Sequence, residues 1–110
     1  MKLSVCGSDE REIFIDVEPG IRIRFRRSEP PPPVSYAITL ETLEDGEWTT
    51  VRLWDNADAV DEHHEHEPMR TGGKRAATIL DFDSPNGAMA AAIRKAKREA
   101  LEILKQWRQS

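Results

Sequence analysis

Ile13-Phe14-Ile15-Asp16-Val17-Glu18-Pro19-Gly20-Ile21-Arg22-Ile23-Arg24-Phe25-Arg26 is the stretch on which the fold turns. Its apolar residues recur at every second position. Ile13, Ile15 and Val17 therefore share one face of a strand, and Ile21, Ile23 and Phe25 share one face of the next. Pro19-Gly20 between them signals a turn. One register suits both faces: Glu18 opposite Arg22, Val17 opposite Ile23, Asp16 opposite Arg24 and Ile15 opposite Phe25. It needs a connection of odd length, because an even one sets charge against apolar side chain. Arg22 and Arg24 then read as cross-strand ion-pair partners, with nucleic-acid contact as the alternative.

Downstream, Pro30 to Pro33 favour a stiff extended segment that cannot sit inside a central strand; a proline-motif ligand is the alternative. Tyr36, Ile38 and Leu40 alternate in a third strand, and Asp45-Gly46 signals a hairpin. The return strand runs from Trp48 to Asp55. Alternation puts Val51 and Leu53 on its core face and Thr50, Arg52 and Trp54 on the other. Residues 56–73 read as loop at both ends, with Gly72-Gly73 a flexible point, and Arg75 to Leu80 reads as a last strand. Ser84-Pro85 has the form of an N-cap followed by proline at the first helical position. The helix should reach about Arg108. Met89, Ala92, Ile93, Ala96, Ala100, Ile103, Leu104 and Trp107 form its apolar face, with Arg94, Lys95, Arg98, Glu102 and Lys105 opposite.

The expected fold is α+β: an antiparallel sheet of four to five strands with one long C-terminal helix packed on one face. Residues 1–110 suit a single domain, with residues 1–12 loosely ordered. One helix leaves the second face of the sheet bare. A homodimer through that open face would cover it, with Trp54 at a sheet edge or partner contact, or free to stack a base.

Composition narrows the class. The chain is 38% hydrophobic and 33% charged, globular but polar. Cys6 is the single cysteine, so no internal disulfide forms, which fits a reducing, cytoplasmic setting. No run has the length of a signal peptide's apolar core or of a membrane span. Net charge is −4, unevenly spread: residues 85–110 carry +4 and residues 1–84 carry −8. Such asymmetry suits charged partners or a solvated surface.

Every histidine lies within Asp55-Asn56-Ala57-Asp58-Ala59-Val60-Asp61-Glu62-His63-His64-Glu65-His66-Glu67. Three readings stand. In an extended chain His64 and His66 point to one side, and with Asp55 or Glu62 they could hold a divalent transition metal. They could equally share acid–base work on RNA: one takes the 2′-hydroxyl proton, the other protonates the leaving oxygen, and Arg52 steadies the phosphate. Nearby acids favour charged imidazoles but repel an RNA backbone. The third reading is a solvated polar loop.

From Val34 onward the chain resembles small prokaryotic proteins of the TumE-like toxin group and a neighbouring family of unknown function. The resemblance rests on Ser35-Tyr36 through Asp45-Gly46-Glu47-Trp48, then Trp54-Asp55-Asn56-Ala57, then His63-His64-Glu65-His66. It covers residues 34–66 and, more vaguely, the helix. It implies a toxin with a cognate antitoxin partner and RNA as target. The matching positions are Asp55, Asn56, His63, His64 and His66. The acidic spacer Asp58 to Glu62 departs from the pattern, and the neighbouring family implies no toxicity.

Two functions follow as expectations. One is a metal-independent ribonuclease with His64 and His66 as proton-transfer groups, Asp55 orienting one of them, and Arg52, Trp54 and Asn56 holding substrate. The other is a non-catalytic module binding a protein, or a divalent metal through His64 and His66.

Overall fold

The computed structural model describes residues 10–28, 35–59, 62–82 and 84–110. The proline run and residues 1–9 lie outside these, and so do the expectations placed on them. Among the described residues six strands form one antiparallel sheet: β1 (Glu10–Glu18), β2 (Ile21–Ser28), β3 (Tyr36–Glu44), β4 (Glu47–Ala59), β5 (Glu62–His66) and β6 (Thr78–Leu80). They lie in chain order, each paired with the next. One helix, α1 (Pro85–Arg108), packs on the sheet, mainly over β3 and β4. The α+β architecture is thus the expected one, with one strand more than expected. No described helix is long and apolar enough to cross a membrane.

The β1–β2 hairpin reaches its pairing by a different route from the one expected. Its turn has two residues, so Glu18 does face Ile21, charge against apolar. A β-bulge at Val17 then restores the phase: Asp16 faces Arg22, Ile15 faces Ile23 and Ile13 faces Phe25. The expected register is therefore wrong by two residues, while its matching of faces holds. Arg24 pairs with Glu12, and Arg22 with Glu41 of β3, at 2.7 and 2.8 Å. Between β3 and β4 the turn has φ of 51° at Asp45 and 82° at Gly46. Two successive left-handed residues are what a tight hairpin of this twist requires.

A second bulge, at Val51, matters more. Leu40 faces Arg52, but Glu41 faces Thr50, so Val51 is the extra residue. Beyond it the alternation of β4 inverts. Val51 is buried as expected, but Arg52 and Trp54 then turn under the helix and Leu53 to the open face. The expectation of an outward Trp54 is overturned: it stands opposite Ile38 and is 1% exposed.

Ile23, Ile38 and Leu40 form the centre of the core, each wholly buried. Burial of each stabilises the fold by roughly 1.5–3 kcal/mol. Ala88, Ala92, Ala96 and Ala100, four residues apart, are all buried on the helix. Their small side chains let its middle approach the sheet, while Met89 at one end and Ile103, Leu104 and Trp107 at the other fill wider space. The Ser84 hydroxyl accepts from the Gly87 amide at 3.1 Å, with Pro85 opening the helix. The helix packs mainly over β3 and β4; Ile13 of β1, at the margin of the helix face, stays half exposed, and Phe14 is half exposed on the opposite, open face.

Candidate functional site

The histidine segment is a hairpin strand, not a loop. β4 continues to Ala59, and β5 returns with Asp55 opposite His64 and Leu53 opposite His66. Alternation along β5 sorts its side chains to opposite faces. Glu62, His64 and His66 stand on the open face; His63 and Glu65 stand on the helix face.

On the open face Asp55, His64 and His66 converge. Each offers one ligand-type atom, and these atoms lie within 4.8 Å of one another. His66 Nε2 is 3.1 Å from the Asp55 carboxylate, and His64 Nε2 is 3.1 Å from the Glu62 carboxylate. The two imidazole rings are 5.8 Å apart, centre to centre. His64 is buried, while His66 and Asp55 keep access to solvent. The cluster is therefore a shallow, partly dry patch with two imidazoles and two carboxylates. It can hold and relay protons, or bind a cation.

The helix face carries a separate polar network. Arg52 is 7% exposed and donates to Glu65, and Lys95 of the helix donates to the same carboxylate at 3.0 Å. Glu67 lies 3.7 Å from the Arg52 guanidinium, and Gln106 accepts from it at 3.3 Å. Burial pushes the Glu65 carboxyl up, but the hydrogen bonds from Lys95 and Arg52 outweigh it, and the net direction is down. Arg52 was expected beside the histidines as a phosphate ligand. It lies instead across the sheet from them, because the Val51 bulge turns it under the helix.

Trp54 and Asn56 are likewise structural where substrate contact was expected. Trp54 lines a small cavity with Leu80, Phe82 and Ala92. Asn56 is buried, and its side-chain oxygen accepts from the Tyr36 amide at 2.9 Å, tying the start of β3 to β4. His63 is 1% exposed and shares a 2.8 Å hydrogen bond with the Tyr36 hydroxyl. Its ring stacks on Tyr36 and meets Phe82 edge-on. Burial first, and then the Asp55 charge, push the Tyr36 hydroxyl up to about 12. Among the sequence-expected set, the structure thus brings together Asp55, His64 and His66. Arg52, Trp54, Asn56 and His63 are drawn into the interior.

Sequence reading missed a cation on the same face. Arg26 faces Ala37, which faces Asp55, so Arg26 and Asp55 share one cross-strand row. Two strand spacings separate them, about 10 Å between backbones. The alternation of β2 was legible, but which distant strand would neighbour it was not.

Comparison of the chain with protein-family models, with curated proteins and with solved structures finds no significant match.

Proposed function

We propose that the protein is a toxin-like ribonuclease of a toxin–antitoxin pair, and that the open sheet face around Asp55, His64 and His66 is its active site. The observation that supports this is the convergence of two imidazoles and a carboxylate on one partly solvent-accessible patch. The chemistry asked of them is a transesterification. The His66 ring nitrogen turned away from Asp55 takes the proton of a 2′-hydroxyl. That oxygen bonds to phosphorus, and the bond from phosphorus to the 5′-oxygen breaks. His64 gives its proton to the departing oxygen, leaving a 2′,3′-cyclic phosphate and a 5′-hydroxyl. Asp55 accepts from His66 Nε2–H, which holds the tautomer and offsets the charge the ring gains. Arg26, on the same row as Asp55, replaces Arg52 as the cation for the phosphate. An antitoxin would silence the protein by covering this face.

The test is induction of the gene in a host cell, with the wild type beside His64→Ala and His66→Ala. Arrested growth and degraded RNA are expected with the wild type only. Unchanged growth and intact RNA with the folded wild type would sink the reading.

A second reading, a non-catalytic binding surface, draws support from Ile79 and Phe14, which are 70% and 48% exposed at opposite margins of the same face. Size-exclusion chromatography distinguishes a homodimer through this face from a monomer awaiting another partner.

A further inference from the structure

We infer that Asp55, His64 and His66 form a binding site for one divalent transition ion of the zinc and nickel class. Such an ion takes imidazole nitrogen and carboxylate oxygen at about 2.0–2.2 Å, which sets its ligand atoms roughly 3.3 Å apart in a tetrahedral shell. The Asp55–His66 separation of 3.1 Å is already an edge of such a shell. The third ligand atom, from His64, lies within 4.8 Å of both, and its ring has to turn inward to complete the shell. All three groups stand on adjacent strands rather than loops, so little order has to be acquired on binding.

Charge and exposure agree. Asp55 and Glu62 put two carboxylates at the site, and each of the two Nε2 atoms lies 3.1 Å from one of them. A metal ion would stand where the proton between His66 Nε2 and the Asp55 carboxylate stands now, held by the same two atoms. Glu62 would hold His64 in place from outside the shell, or close it as a fourth ligand. The solvent-facing side of Asp55 and His66 leaves a position open to water. His63 takes no part, since its ring faces Tyr36 on the other side of the sheet.

This inference stands apart from RNA cleavage, because binding is read without RNA. Where both hold, the ion takes His66 Nε2, the ring proton passes to Nδ1, and the lone pair that would accept the 2′-hydroxyl proton is lost, so zinc inhibits cleavage.

The experiment is calorimetric titration of chelator-treated protein with Zn²⁺ on a Cys6→Ser background that removes the one thiol. One-to-one uptake below micromolar dissociation constant is expected. His66→Ala and Asp55→Ala should weaken it by more than the roughly 10–100-fold that losing an outer-shell partner costs. Should those variants fold poorly, imidazole nitrogen NMR of the unmutated histidines decides. Zn²⁺ should move the His64 and His66 ring signals and leave His63 in place. Uptake that is weak, substoichiometric or insensitive to these substitutions, or ring signals that all shift alike, would overturn the site and mark the binding as adventitious.

Discussion

The Tyr36 hydroxyl and His63 Nδ1 lie 2.8 Å apart in the interior, directly behind the strand face that carries Asp55 and His64. The phenol is held neutral there, first by burial and then by the Asp55 charge across the sheet. A hydroxyl pushed from 10.0 to about 12 in the folded chain stabilises the fold below pH 10, and that contribution is lost as pH rises towards 12. Wild-type stability, measured by urea denaturation, should therefore fall between those pH values. Tyr36→Phe should lack this alkaline loss. At neutral pH it should cost about 1–3 kcal/mol, because His63 Nδ1 loses its partner in a dry setting.

The Trp54 indole is a core element by virtue of the Val51 bulge. Trp54→Ala should destabilise the fold by about 3–5 kcal/mol in equilibrium denaturation. Leu53→Ser, on the open face, should cost much less. Reversal of that order would mean that β4 keeps a regular alternation.

Under the helix, Glu65 balances both Arg52 and Lys95. Glu65→Leu leaves the Arg52 guanidinium to the longer 3.7 Å approach of Glu67 and to Gln106 and should cost about 1–3 kcal/mol, part of it recovered in the Arg52→Met/Glu65→Leu double variant. The Glu65 carboxyl titrates below 4.5 in the folded chain. Its contribution is present above the unfolded value and lost as pH falls through the folded one. Acid denaturation of Lys95→Met, which removes one of the two cations lowering Glu65, should show a smaller share of this loss.

At the proposed active site, Asp55→Asn preserves shape but removes the charge that orients His66. RNA cleavage should fall by roughly 100-fold or more, through the rate constant and not through binding. Arg26→Gln should instead weaken RNA binding and flatten its salt dependence. Arg52→Gln should act on stability alone, since Arg52 lies on the helix face.

Local pattern carried most of the fold. Alternation in Ile21 to Phe25 and in Tyr36 to Leu40 marked strands, and the three- and four-residue spacing from Met89 to Trp107 marked the helix and its buried face. These are properties of neighbours along the chain, and hydrophobic burial acts on them wherever the element docks. The same alternation put His64 and His66 on one side of a strand. What escaped was phase and neighbourhood. A single extra residue at Val51 inverts every side chain beyond it, and nothing in Thr50-Val51-Arg52 announces it. Its position is settled by pairing with β3 and by the space under the alanine-lined helix, which accepts Trp54. Tertiary structure alone therefore parted Arg52 from the histidines and set Asp55 beside His66. The chain determined by itself which groups of chemistry it carries; the packing of helix on sheet decided which of them meet, because only burial chooses between the two faces of a strand.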